Sequence, residues 1–421
     1  MAVKITFTKF DFALTLAGFL LYFADIGTDL WVAAVYFNDN EFTWFALVLA
    51  AISLSALVLQ SFSWSWYQDD RKIQQQQNSS ETQHSHYQSR SSTCPWLCVL
   101  HIFQLGLPVR FCKALRLGYK AAFKQGDTDS AIYALADLSM LRLFEAFLEG
   151  APQLVLQTFI LLQSKDSNFI QYGSVIASFT SISWATVDYY AALKRSLPNP
   201  NLTCGFPVVF YFLYKLLTIS ATILSITLLV SLHILAVVAY LLILWSIMMV
   251  HVVRQETTFC NSKCQEIIYR IVVGIILIFT FFNVKGQEIR LTLTLYYIFK
   301  VFATTFIISL CWILKGSSVD KGYDLSISMS IMLSLTIGIV CAVIYYRCFH
   351  PQVYSTAATD EESNNSHTTL QLPATPDEVD GFQPENSTAT LNNVSENRDV
   401  IHSSVPQSSK VNRRITNCLR E

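Results

Sequence analysis

SMLRLFEAFLEGAPQLVLQTFILLQ, residues 139–163, sets Arg142, Glu145 and Glu149 in an otherwise apolar segment. The two glutamates stand at i and i+4 and share a helix face. Gly150-Ala151-Pro152 follows. A proline has no backbone N–H and its ring meets the carbonyl four residues back, here Leu148, so the helix is predicted to kink or restart at this point. Leu154 to Leu162 is then almost purely apolar. An ionisable side chain at membrane depth is costly unless it faces a partner or a polar cavity, and by default it marks a pathway or a site. The alternative is a glutamate pair at the membrane surface, with Arg142 neutralising one of them.

The surroundings support membrane depth. Of 421 residues 52% are hydrophobic and 14% charged, mean hydropathy is +0.39, and the apolar residues come in runs. That distribution predicts an all-α, polytopic helical membrane protein. The net charge of −1 says nothing about nucleic acid, and with no basic tract interleaved with aromatics that partner class is not expected. The start, MAVKITFTKF, leads into an apolar run containing Asp11, Asp25 and Asp29, which reads as a retained span and not a cleaved signal. The ten cysteines are scattered, most in or beside apolar spans, which favours thiols over a disulfide framework. Cys260 and Cys264 are the nearest thing to a metal or disulfide pair, a local disulfide if that loop lies outside the cell and two thiols otherwise.

In chain order, residues 1–67 hold two spans, about 10–37 and 42–67, joined by a short loop without a positive charge. Lys4 and Lys9 place the N-terminus in the cytosol. Residues 68–93 are rich in Gln, Ser and His and read as a disordered cytosolic loop. Residues 94–348 begin with an apolar stretch, 96–109, too short to cross, followed by Arg110, Lys113, Arg116, Lys120 and Lys124 at helical spacing. The economical reading is a re-entrant segment leading into a basic amphipathic helix, the alternative an interfacial helix on anionic headgroups. Further apolar segments at 131–163, 169–192, 206–232, 234–253, 265–284, 292–314 and 325–346 bring the candidate crossings to nine. Residues 349–421 turn to Ser, Thr, Asn, Asp, Glu and Pro and read as a disordered tail.

Asp11 and Asp29 stand eighteen residues apart, about five helical turns, and Asp25 lies one turn before Asp29, so all three lean to one face. That stripe is predicted to face the protein interior, a groove or water. Arg110, Lys113, Arg142, Lys215 and Lys300 are the basic candidates to meet it, with Asp188 and Lys194 near the end of another span. Buried pairs that fix helix packing are one reading. The other is a ladder of hydrated charges that hands a polar headgroup across while acyl chains stay in the hydrocarbon.

No GxSxG, HExxH or phosphate-binding glycine loop is present, and the eight histidines make no metal-like set with the cysteines. Enzyme chemistry and a cofactor are therefore not expected. The sharpest motif lies in the tail: Asp377-Glu378-Val379-Asp380-Gly381. A protease that reads an extended peptide needs an unstructured segment, a matching P1 side chain and a small P1′ residue, and DEVD-Gly fits executioner caspases at every position. A chance patch in an acidic tail is the alternative.

The strings SMLRLFEAFLEGAPQLVLQ, DIGTDLWVA at 25–33, SFSWSW at 61–66, SISWATVDYYAALKRSLP at 181–198, LIFTFFNVKGQ at 277–287 and YYRCFHP at 345–351 together resemble the XK-related family of membrane proteins, over residues 10–351. The resemblance implies a plasma-membrane phospholipid scramblase, switched on when caspases cut the tail in apoptosis, which exposes phosphatidylserine. It implies about eight spanning helices with re-entrant half-helices and both termini cytosolic, so one of the nine segments must be half-inserted. A single-span companion protein or self-association is left open. On this reading Asp11, Asp25, Asp29, Arg110, Lys113, Arg142, Glu145, Glu149, Asp188 and Lys215 form the lipid path, and cleavage falls after Asp380. A small-solute or ion transporter and a non-transporting membrane scaffold are the competing classes.

Overall fold

The computed structural model describes residues 7–81, 99–101, 103–124, 126–163, 169–196, 206–255, 257, 259–260, 262–282, 289–315 and 321–349. Every regular element among them is helical: α1 (Lys9–Asn38), α2 (Phe42–Glu81), α3 (Gly106–Phe123), α4 (Thr128–Glu145), a π-helical turn (Ala146–Gly150), α5 (Ala151–Gln163), α6 (Phe169–Arg195), α7 (Phe206–Val230), α8 (Ile234–Arg254), α9 (Lys263–Phe279), α10 (Ile289–Lys315), α11 (Lys321–Ile344) and a second π turn (Tyr345–Phe349). Six helices, α1, α2, α7, α8, α10 and α11, contain stretches long and apolar enough to cross a membrane. The chain is an all-α multi-pass membrane protein.

α7 is the central pillar, with 72% of its apolar window buried against 17% for α1 and α2. Its hydroxyls turn back on its own carbonyls, Thr218 onto Tyr214, Thr222 onto Thr218, Ser225 onto Ala221 and Thr227 onto Ile223. No polar group on that face then asks for water. α11 approaches α7 closely at Gly338, where a Cβ would stand 2.8 Å from Thr218 Cγ2 and 3.2 Å from its backbone nitrogen.

Several expectations are corrected. The helix does not break at Pro152. The π turn ends one residue before Ala151, whose N–H reaches the Ala146 carbonyl, and the helix runs on through α5. The widened turn absorbs the missing donor of proline locally. Residues 68–81, expected as disordered loop, continue α2, because Asp70 is held by Arg110 and Lys113 and anchors the helix past the end of its apolar run. The rest of that loop, 82–93, lies outside the described residues. The stretch 96–109 is divided by a turn at 103–105, with Gln104 at φ 62°, and Gly106 already opens α3.

α9 has 17 residues, about 26 Å of helix, and falls short of the roughly 30 Å hydrocarbon core. It stops inside the protein, at the extended and buried Thr280. A helix end leaves carbonyls without partners. Here Tyr296 Oη donates to Leu277 O (2.9 Å), Lys300 Nζ to Ile278 O, and Lys215 Nζ to Phe281 O (2.7 Å) and Thr280 Oγ1 (3.0 Å). Two ammonium groups also oppose the negative end of the helix dipole.

Candidate functional site: a charged stripe along α1

From Asp11 to Asp29, α1 rises about 27 Å, close to the full depth of a hydrocarbon core. Asp11 sits at the first turn, where it closes a capping box with Thr8 by accepting from the Thr8 N–H (2.9 Å) and hydroxyl (2.7 Å). The same carboxylate takes Arg195 Nη1 from the end of α6 at 2.6 Å. Further along, Arg142 of α4 meets Asp188 of α6 at 3.9 Å. Gly18 makes room for that guanidinium, since a Cβ there would lie 2.9 Å from Arg142 Nη1.

Beyond Arg142 the stripe changes character. Glu145 lies within electrostatic reach of Asp25, Asp29 and Glu149, and Arg142 is the cation that acts on it. Asp29 and Glu149 are both buried and face each other across α1 and the first π turn. Ser55 of α2 stands beside Glu149 and Gln153 of α5 beside Asp29, near enough to act on them electrostatically, yet Ser55 Oγ and Gln153 Nε2 complete no hydrogen bond of normal geometry. Asp25 is exposed on the helix surface. One end of the stripe is therefore ion-paired, and the other gathers four carboxylates, of which Arg142 acts on Asp25 and Glu145.

Beside the paired end lies a cavity of about 540 Å³ between α1, α4, α6 and α7. Its polar wall carries Asp11, Arg142, Asp188, Lys194 and Arg195. Its rim includes Phe10, Leu14, Leu21, Trp184 and Val209, all apolar and turned outward. The cavity therefore opens to the outer surface of the helices past apolar side chains.

The structure thus brings together Asp11, Asp25, Asp29, Arg142, Glu145, Glu149 and Asp188. It sets apart three of the residues expected with them. Arg110 and Lys113 both hold Asp70, at 3.3 and 2.6 Å, and Arg110 also reaches Asp137 at 3.7 Å and the Ser63 carbonyl at 3.0 Å. They tie α2 to α3 and α4. Lys215 is corrected outright: it is buried in the core and spends its ammonium on the end of α9, away from the carboxylates. Residues of these clusters that were not anticipated include Ser55, Asp70, Asp137, Gln153 and Arg195. Asp137 interrupts the apolar IYALADLSML and was open to the same rule that singled out Glu145. The tail motif, Asp377, Glu378, Val379, Asp380 and Gly381, lies outside the described residues.

The XK-related protein family model matches residues 13–351. XK-related protein 9 of Tetraodon nigroviridis is 35% identical over 354 residues, covering 82% of this chain and 92% of that protein. XK-related protein 8 of Gasterosteus aculeatus is 32% identical over 359 residues, covering 84% and 88%. XK-related protein 8 of Pan troglodytes is 32% identical over 347 residues, covering 81% and 84%.

Proposed function

The chain belongs to the XK-related family, and from that premise we propose that it is an energy-independent phospholipid scramblase of the plasma membrane, with both termini in the cytosol. The observation that carries this reading is the stripe on α1. Its charges are spaced over the depth of a bilayer and sit next to a cavity whose rim is apolar and outward-facing. A headgroup moving along such a stripe exchanges water for successive ionic partners, the phosphate meeting Arg195 and Arg142 and any amine meeting Asp25, Asp29, Glu145 and Glu149. The acyl chains remain in lipid throughout. Movement down a gradient requires no covalent step and no cofactor.

The tail supplies the switch. Executioner caspases cut after Asp380 and release residues 381–421, and phosphatidylserine then reaches the outer leaflet in apoptotic cells. A tail shifts a closed–open equilibrium only by its differential affinity for the closed form. Cleavage must therefore abolish binding of the retained stub as well.

The test is fluorescent-lipid scrambling in liposomes holding the purified protein, before and after caspase-3, with Asp380→Ala alongside. Activity that appears only in the cut wild type supports scrambling and switch together. Cleavage without scrambling contradicts the scramblase reading, and solute flux in the same liposomes then separates a transporter from a scaffold.

A further inference from the structure

Lys194 stands one residue before the end of α6, on the wall of the α1–α6 cavity. Its Nζ is shielded from solvent and has no hydrogen-bond acceptor among the described residues. The nearest compensation is the face of Tyr190, 4.6 Å from Nζ to the ring centroid. A cation over an aromatic ring recovers part of what burial costs an ammonium, but the three N–H donors still lack an acceptor.

The neighbouring charges do not answer this need. On the same wall Asp11 is held by Arg195 and Thr8, and Asp188 by Arg142. Two carboxylates face three cations there, and the surplus positive charge is Lys194. Contrast Lys215 and Lys300, whose side chains are more deeply buried and are each bonded to a backbone carbonyl. The fold can satisfy a buried lysine, and at Lys194 it has not.

We propose that Lys194 is the anion-recognition group of a phospholipid-binding site in this cavity, its flexible stem turning the ammonium from the Tyr190 ring into the cavity to meet the phosphate, with one acyl chain leaving past Phe10, Leu14 and Trp184. Charge complementarity selects a phosphate-bearing ligand. The apolar, outward-turned rim selects one that carries acyl chains and arrives from the membrane. The site lies where α1 begins and α6 ends, so it loads from the leaflet on that side. This deepens the scramblase reading and rests on it for the purpose of the site, while its test is independent of transport.

The experiment is native mass spectrometry of the purified full-length chain in a neutral detergent, titrated separately with dioleoyl phosphatidic acid, dioleoylglycerol and inorganic phosphate. Wild type should bind phosphatidic acid saturably, Lys194→Met should weaken that binding by about tenfold, and Lys194→Arg should keep it within about threefold. Dioleoylglycerol should bind wild type and Lys194→Met alike. Equal affinity of wild type and Lys194→Met for phosphatidic acid overturns the proposal. Saturable, Lys194-dependent binding of inorganic phosphate overturns it too, because the site would then serve a free anion. Should Lys194→Met fail to fold, Ala191→Phe keeps the lysine and fills the cavity. Reduced phosphatidic acid binding by that variant supports the site, and unchanged binding overturns it. A chain that scrambles without Lys194-dependent binding sinks this inference alone, and one that binds without scrambling sinks the scramblase reading alone.

Discussion

Two regions of the molecule bury charge in opposite ways. Around the end of α9, Lys215 and Lys300 have no carboxylate bonded to them, yet each ammonium is met by carbonyl oxygens that the helix end leaves open. Along α1, carboxylates crowd one another, and beside them Lys194 has no acceptor among the described residues. The first region is closed, each group answering another. The second is incomplete as it stands. Closed arrangements hold a fold, whereas incomplete ones are tolerated where something else completes them.

The comparison breaks most visibly at Lys215. Lys215→Met removes two hydrogen bonds from a charged donor and leaves the Phe281 carbonyl and Thr280 hydroxyl without that partner in an apolar interior, and should cost about 3 kcal/mol of stability. Thermal denaturation in detergent reads it directly. A variant with wild-type melting would mean that the α9 end is not held this way. Arg195→Gln cuts the 2.6 Å bridge to Asp11, but Asp11 keeps Thr8 and Arg195 is about one-third exposed, so the loss should be about 1 kcal/mol. Chemical denaturation of the same detergent-solubilised sample checks it.

Gly18→Ala sharpens the comparison from the other side. The new methyl would press on Arg142 Nη1, the mobile end of a long side chain. Stability should hardly change, whereas lipid scrambling in liposomes should fall about two- to threefold as Arg142 is displaced from Asp188. The smallest effect is expected at Lys113→Ala. Lys113 is 44% exposed and Arg110 still holds Asp70, so melting should move by less than about 0.5 kcal/mol in equivalent stability.

Much of the architecture was legible in the sequence. The six described helices long and apolar enough to cross each fall on one of the nine candidate runs, because about 20 apolar residues in helix match the thickness of the hydrocarbon core. The spacing of Asp11, Asp25 and Asp29 placed them on one side of α1, and the i, i+4 glutamates fell beside them. Partner identity was not legible. Lys215 and Asp29 look alike in sequence, each a charge inside an apolar run. What separates them is that α9 stops at Thr280, and no proline or glycine marks that end. Asp70 lay hidden because its neighbours are Gln- and Ser-rich, a composition that reads as loop until Arg110 and Lys113 are seen to hold it. At Pro152 local chemistry predicts a break, and only the packed structure reveals the π turn that avoids one.

The most direct measurement takes the caspase-cut protein in liposomes and compares the wild type with the Asp29→Asn, Glu149→Gln double variant. Both substitutions keep shape and remove charge, exchanging one acceptor oxygen for an N–H donor. If the α1 stripe carries headgroups, the scrambling rate should fall about tenfold, some 1.4 kcal/mol on the barrier, with melting unchanged. An unaltered rate in a well-folded double variant would contradict the account and return these carboxylates to helix packing.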